Sequence, residues 1–326
     1  MRIAINGFGR IGRSILRALA TTRGDTGIEV VCINDIAAPD LCAHLFEYDS
    51  VFGPYPGKVS LEDTRLTVDG RTITLHRTDD ISTLDLRGID LLLECTGKAD
   101  SRAVAERGLT AGATRVLISG PSAGADVTVV LGANEEAAGD HAIVSNASCT
   151  TNALAPLLAV LDRAFGVMQG HMTTIHCYTG SQPMIDAPRG DFARSRAGAL
   201  SMVPTTTSAT HLIDVVLPHM AGRVTGAAVR VPVASVSAVD LVVRLSGAPD
   251  HGAIRNALRA ATGPVIGWTD RPLVSSDLRA RPESLVLAGP ELIVQPDGMA
   301  RIFGWYDNEW GFSNRMIDMA LRLHRA

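Results

Sequence analysis

The stretch that most limits how this chain can fold is Arg2 to Gly12. Arg2 to Asn6 reads as a short buried strand, and Gly7-x-Gly9-x-x-Gly12 follows at once. Ile11, Ile15, Leu16 and Leu19 then recur at helical spacing. Three glycines in this pattern occur often by chance. Between a strand and a helix they serve, in turn, for a tight bend, for close approach of backbone to a pyrophosphate, and for packing of the helix on a sheet. The helix N-terminus would then face phosphates. The next strand, Ile28 to Ile33, ends in Asn34-Asp35. Asp35 follows Gly12 at close to the roughly 20-residue spacing of a carboxylate that accepts ribose hydroxyls. A carboxylate there repels a 2′-phosphate, so NAD is favoured over NADP.

Alternation of strand and helix continues. Ile89 to Glu94 is strand-like, and Cys95-Thr96-Gly97 turns into a helical run from Ala103 to Leu109. Val116 to Ser119 and Val127 to Leu131 are further strands, and Ile143-Val144 leads into a polar octet. This is the pattern of a doubly wound parallel sheet with ligand loops at the strand C-termini. With 326 residues and 46% apolar content the chain has room for about two domains with sizeable cores.

The octet is Ser145-Asn146-Ala147-Ser148-Cys149-Thr150-Thr151-Asn152. Leu154, Leu157, Leu158, Leu161 and Phe165 follow at helical spacing, which places Cys149 at a helix start. The positive end of a helix favours thiolate over thiol. Most free cysteines are buried structural residues, but these small polar neighbours make a poor apolar lining. A nucleophilic thiolate needs a base. The β-rich run Met172 to Thr179 carries His176, and a strand returning beside the Cys149 helix could bring the two together. Cys177, next along that strand, would turn away from the His176 face.

From here on the chain changes character. Val167 to Thr179, Val224 to Val231 and Ser237 to Leu245 alternate as strands of a mostly antiparallel sheet, and Ile254 to Ala261 and Gly311 to Leu323 are helical. Between Thr179 and Pro204 lies a long irregular stretch, and a loop of that length is usually functional.

Composition narrows the function. A net charge of −4, with lysine only at 58 and 98, gives no pull toward nucleic acid. No stretch reaches the roughly 18 to 20 apolar residues of a membrane span. Met1 begins directly on a strand, which leaves no space for a signal peptide. Five cysteines without a CxxC pair suggest no zinc or other metal site and reduced thiols in the cytoplasm.

The chain resembles phosphorylating glyceraldehyde-3-phosphate dehydrogenases and their near relatives, the erythrose-4-phosphate dehydrogenases. The likeness runs nearly end to end. It rests on Ile5 to Arg13, Ile33-Asn34-Asp35, Tyr48-Asp49-Ser50-Val51, the Cys149 octet, Thr174-Ile175-His176, Val229-Arg230-Val231-Pro232 and Trp305 to Gly311. It implies a Rossmann-type NAD domain over residues 1–148, an α+β catalytic domain over 149–310, and a C-terminal helix, 311–326, packing back on the first. Gly7, Phe8, Gly9, Arg10, Ile11, Gly12, Asn34, Asp35, Thr96, Gly97 and Ser119 would surround the cofactor. Asn308 would bond the nicotinamide amide.

The resemblance further implies that Cys149 attacks a sugar-phosphate aldehyde with His176 as base. Thr179 and Arg230 would hold the substrate's phosphate. Arg196, Thr150, Thr207 and Ser208, with Ser148 nearby, would hold the attacking inorganic phosphate. The long loop would pack between subunits of a homotetramer. Its Ala187-Pro188 stands halfway between the Leu-Pro of NAD-bound relatives and the Ala-Ser of those accepting NADP, which implies measurable but poorer NADP turnover. Ala99 stands where the family carries an aromatic against the adenine, Phe52 replaces a common histidine, Pro54 an arginine, and Ser208 a glycine. Thr205-Thr206-Thr207-Ser208-Ala209 is closer to phosphate-using members than to erythrose-4-phosphate enzymes, which release a free acid through water. That second activity stays open, as does a non-catalytic binding protein on the same fold.

Overall fold

Ile3, Ala4 and Ile5 are almost wholly buried, and they form the central strand β1 (Arg2–Asn6) of a nine-stranded sheet. The computed structural model describes residues 1–325 and contains two compact units. The first comprises residues 1–129, 135–147 and 312 onward. After β1 it carries α1 (Arg10–Ala20), β2 (Glu29–Asn34), α2 (Pro39–Glu47), β3 (Val59–Glu62), β4 (Arg65–Val68) and β5 (Arg71–His76). Then follow β6 (Leu91–Glu94), α3 (Arg102–Ala105), α4 (Arg107–Thr110), β7 (Arg115–Ile118), β8 (Val127–Thr128) and β9 (Ile143–Ser145). The sheet order is β3-β4-β5-β2-β1-β6-β7-β9-β8. From β5 to β8 every pairing is parallel. Strands covered on both faces read as unbroken apolar runs, as Leu91-Leu92-Leu93 does.

Two details differ from the sequence expectation. The β3–β5 meander is an antiparallel edge that the alternation did not announce. Its second turn uses Asp69 and Gly70, both at positive φ (47° and 81°), the pair that a two-residue hairpin turn needs. The strand expected over 127–131 pairs only at Val127–Thr128, while Val129 and Val130 are buried without continuing it.

The second unit comprises residues 130–134 and 148–311. It opens with α5 (Cys149–Phe165) and β10 (Val167–Cys177), then β11 (Val203–Thr205), α6 (Ala209–Val216), β12 (Val224–Val231) and β13 (Ser237–Leu245). Next come α7 (His251–Ala260), β14 (Ile266–Thr269), β15 (Leu285–Ala288), β16 (Ile293–Val294), β17 (Met299–Tyr306) and the start of α8 (Trp310–Arg325). The sheet runs β11-β12-β10-β13-β17-β15-β14, with β16 on β17. Only β10–β12 and β14–β15 are parallel. Helix α5, buried along most of its length, packs against β10, β13 and β15. Strand alternation turns Met172, Thr174 and His176 of β10 to the buried face. The stretch from Tyr178 to Met202 contains no helix or strand.

From Phe312 on, α8 is tied into the first unit. Arg23 bonds Asp318 and Asn314, and Arg115 Nη1 donates to Leu323 O at 2.9 Å. No helix among the described residues is long and apolar enough to cross a membrane. No group of His, Cys, Asp or Glu among them could hold a metal ion.

Candidate active site

In the first unit the glycine loop leaves no choice of residue at Gly7 and Gly12. Gly7 lies at φ 93°, and a Cβ there would sit 2.7 Å from Cys95 and Thr96 backbone. A Cβ on Gly12 would meet Gly7 O at 2.3 Å, whereas one on Gly9 would meet nothing. Gly9 is the N-cap of α1 and offers no side chain to the first-turn N–H groups, so these stay available to an anion. Asp35 holds the loop from β2: Oδ2 accepts from Phe8 N at 2.6 Å and Oδ1 from Ala37 N at 2.9 Å. Beside them Asn34 Nδ2 donates to Asn6 Oδ1, and Asn6 Nδ2 to the buried Glu94, whose carboxylate also takes the Thr96 N–H.

Gly7, Gly9, Asn34, Asp35 and Thr96 line one cavity of about 230 Å³. Phe8, Arg10, Ile11, Gly12, Gly97 and Ser119 lie outside its lining. Ala99 is 3% exposed within the core, so it offers no surface to an adenine; Ile36, Ile81 and Val104 supply the apolar wall instead. Phe52 has a place too. Its ring lies 5.5 Å beneath the Arg10 guanidinium, which also pairs with Asp49. Backbone that only glycine can form, an uncapped helix end and a carboxylate at the cavity wall together suit the pyrophosphate and ribose of NAD.

In the second unit Cys149 is the first residue of α5. Ser148 caps the helix in extended conformation, its Oγ accepting from Thr151 N at 3.0 Å. Such a cap stabilises a helix by about 1 kcal/mol. Ala147, just before it, is held at φ 53°, an uncommon conformation for alanine.

Cys149 Sγ lies 3.7 Å from His176 Nε2. His176 Nδ1 lies 2.7 Å from Cys177 O and 2.6 Å from Arg230 Nη1, and Arg230 also donates to Cys177 O. Burial, aided by the Arg230 cation, pushes the imidazole down to about 4 against the pull of the Cys177 carbonyl. The ring is therefore neutral at pH 7 and able to take a proton. For Cys149 the helix start does not settle the matter. The Thr150 hydroxyl, Arg230 and the helix-end N–H groups favour the thiolate, but burial outweighs them and leaves the thiol above its ordinary value.

Cys177 is not simply turned away from the imidazole. Its Sγ is 3.9 Å from Nδ1, while its thiol donates to Asn308 Oδ1 at 3.1 Å beside Ser237. Burial pushes this thiol up to about 12, so it stays protonated.

The residues matched to the attacking phosphate are less gathered than the sequence implied. The Arg196 guanidinium pairs with Asp186 at 2.7 Å, and among the described residues no hydrogen bond joins it to Ser148, Thr150, Thr207 or Ser208. Thr207 Oγ1 accepts from Ala209 N at 3.1 Å at the start of α6, with Ser208 as N-cap. Thr150 Oγ1 lies 2.8 Å from the Tyr306 hydroxyl. Thr179 Oγ1 is bonded to Ser181 Oγ at 2.9 Å, and Arg230 is taken up at His176. Two neighbours went unnoticed in the sequence: Tyr306 within an otherwise quoted motif, and Arg194, whose Nε donates to Thr205 Oγ1 at 2.7 Å. Nothing in their spacing marks either.

The neutral His176 has a cost in acid. The ring titrates near 6.5 in an unfolded chain and near 4 in the fold. Its contribution is intact above pH 6.5. As pH falls toward 4 only the unfolded state takes up the proton, and about 3 kcal/mol of stability is lost. Denaturant unfolding at pH 7 and pH 4 should show His176→Asn losing roughly 3 kcal/mol less than the parent. Equal losses in the two proteins would refute this.

Comparison with known families matches residues 1–102 to the glyceraldehyde 3-phosphate dehydrogenase NAD binding domain and residues 148–308 to the glyceraldehyde 3-phosphate dehydrogenase C-terminal domain. Proteins named glyceraldehyde-3-phosphate dehydrogenase are similar over their whole length. The one from Xanthobacter flavus is 44% identical over 99% of this chain and 98% of its own. Those from Cereibacter sphaeroides and Pseudomonas aeruginosa are each 45% identical, over 100% of this chain and 99% of theirs.

Proposed function

The chain belongs to the glyceraldehyde 3-phosphate dehydrogenase family of NAD-dependent oxidoreductases, and on that premise we propose that it converts D-glyceraldehyde 3-phosphate and inorganic phosphate to 1,3-bisphosphoglycerate, the step shared by glycolysis and gluconeogenesis. The observation that carries the reading is Cys149 Sγ at a helix start, 3.7 Å from a neutral His176 Nε2.

Cys149 adds to the aldehyde carbon, and its proton passes to His176. The Cys149 N–H and the His176 ring hold the oxyanion of the thiohemiacetal. His176 returns the proton to that oxygen, giving the thiohemiacetal hydroxyl, and the neutral Nε2 removes it again as the carbonyl re-forms. When bound, NAD would supply the hydride acceptor for this carbon, and Cys149 would be left carrying the acyl group as a thioester. The Gly7–Gly12 loop would hold its pyrophosphate, Asp35 its ribose and Asn308 its carboxamide. A phosphate oxygen then attacks the thioester carbon, the acyl phosphate departs and the Cys149 sulfur leaves as thiolate. Arg230 and Thr179 take the substrate's phosphate. Ser148, Thr150, Thr207, Ser208 and Arg196 take the attacking one, for which Arg196 has to exchange Asp186 for the anion. Arginine suits both sites through its rigid fork of donors.

Residues 1–148 form the NAD domain in this reading, 149–310 the catalytic domain, and 311 onward a helix belonging to the first, with Ala326 of that segment outside the described residues. The enzyme works in the cytoplasm as a homotetramer. Supporting the assembly, the irregular loop carries Phe192, Met184 and Ile185 at 99%, 85% and 76% exposure, apolar surface that a neighbouring subunit would cover. Light scattering at micromolar concentration is expected to give four times the chain mass; a monomer would contradict it.

The decisive test of the reaction is steady-state NADH formation with phosphate varied. Saturable dependence on phosphate, with glyceraldehyde 3-phosphate the best aldehyde, is expected. Undiminished turnover without phosphate, together with a higher kcat/KM on erythrose 4-phosphate, would transfer the assignment to the water-using relatives.

A further inference from the structure

We propose that Tyr306 is a positioning residue for Cys149: its phenol hydroxyl, set between Thr174 and Thr150, turns the Thr150 hydroxyl onto the Cys149 sulfur. The proposal rests on Cys149 being the nucleophile.

The cluster lies wholly inside the second unit. On β17, Ala300, Ile302, Gly304 and Tyr306 alternate onto one face, and all four are buried. Thr174 stands on β10, two residues before His176, and Thr150 in the first turn of α5. Thr174, Tyr306 and Thr150 are 1%, 2% and 5% exposed. The Tyr306 oxygen lies 2.8 Å from Thr174 Oγ1 and 2.8 Å from Thr150 Oγ1. Thr150 follows Cys149 directly in the first turn of α5, and its hydroxyl favours the thiolate there.

Three hydroxyls have three protons to place. A thiolate accepts and never donates, so the Thr150 proton goes to sulfur. The Thr150 oxygen then takes the Tyr306 proton, and the Tyr306 oxygen takes that of Thr174. This order gives each oxygen in the row a partner and points every O–H dipole at Cys149. Aligned bonds of this kind strengthen one another in a buried setting. The opposite order would turn Thr150 away from the sulfur. Burial holds the Tyr306 phenol far above its ordinary value, so it stays a donor at any working pH. The ring of Tyr306 has a separate contact: its centroid is 6.0 Å from that of His176, edge-on at 79°. Tyr306→Phe keeps the ring and removes only the hydroxyl.

The other groups that face Cys149 are His176 and Cys177 from β10 and Arg230 from β12, and this substitution leaves them in place. The measurement is the rate of Cys149 alkylation by iodoacetamide against pH, read at that residue by mass spectrometry. It needs neither aldehyde nor cofactor. In Tyr306→Phe the midpoint should rise by about one pH unit, an approximately tenfold slower reaction on the acid side. Thr150→Val should shift it the same way, and Thr150→Ser should restore it. Adding Tyr306→Phe to Thr150→Val should change nothing further, because the row is already broken.

An unchanged midpoint in a Tyr306→Phe protein of parental Tm overturns the proposal, and so do additive shifts in the double variant. Should Tyr306→Phe not fold, the Thr150 pair decides. Equal midpoints for the folded valine and serine variants would overturn it. Failure of the parent to label at Cys149 would instead remove the catalytic reading itself.

Discussion

Cys149→Ala is expected to lower the aldehyde-dependent rate by about 10⁵-fold or more, the scale seen when a covalent nucleophile is deleted from an enzyme. Alanine removes the sulfur and little else. Ser148 still caps α5 through Thr151 N, and the buried run of the helix from Thr150 on does not depend on the thiol. Stability should therefore stay close to parental and the loss should appear in kcat. The other cysteines provide the contrast. Cys32, Cys42 and Cys177 are buried, and burial raises these thiols as it does those of Cys95 and Cys149, so the contrast lies in the neighbours. Only Cys149 joins a helix start to an imidazole nitrogen 3.7 Å away. Stoichiometric iodoacetamide should label it and remove activity together. Full activity in Cys149→Ala would end the covalent mechanism, whatever the family.

The parts of this molecule legible in the sequence are those where local spacing and chemistry coincide. Gly7, Gly9 and Gly12 stand where a dinucleotide loop needs them, and at two of the three the backbone itself demands glycine: a side chain at Gly7 or Gly12 would strike main-chain atoms. The start of α5 at Cys149 reads correctly because Ser148 is a good N-cap ahead of an apolar repeat. The antiparallel edge β3–β5 went unread, although Asp69-Gly70 between two alternating runs is a hairpin signal. Strand β17 hid because Ile302, Phe303 and Gly304 are all buried, which erases its alternation. The site was legible in its members and not in their partners. Arg196 carries no mark in sequence that it pairs with Asp186, nor Tyr306 that it meets Thr174 from one strand and Thr150 from a helix. Partners brought together by sheet register are set by the whole fold, and no short window contains them.

His176→Asn is expected to slow acylation of Cys149 by about 10²–10⁴-fold, the range of a lost general base. The two ring nitrogens explain why asparagine is the informative replacement. Nε2 faces the sulfur. Nδ1 lies between an acceptor, Cys177 O at 2.7 Å, and a donor, Arg230 Nη1 at 2.6 Å. With its proton donated from Nδ1 to Cys177 O, the ring turns a lone pair on Nε2 toward the reacting centre, the state a base requires. With an Arg230 N–H directed at Nδ1, the proton sits on Nε2, the state that supports an oxyanion. One residue in one place can thus serve both halves of the step, and the guanidinium's position biases the choice. Asparagine keeps an N–H able to support the oxyanion and has no basic nitrogen. The variant should therefore bind substrate with a KM close to parental and lose kcat. Its acylation should gain a steep dependence on hydroxide, since solvent must take the proton that Nε2 no longer takes. Single-turnover acylation followed from pH 6 to 9 makes the measurement. A His176→Asn enzyme with parental acylation at neutral pH would deny His176 the proton and leave it as an oxyanion donor alone.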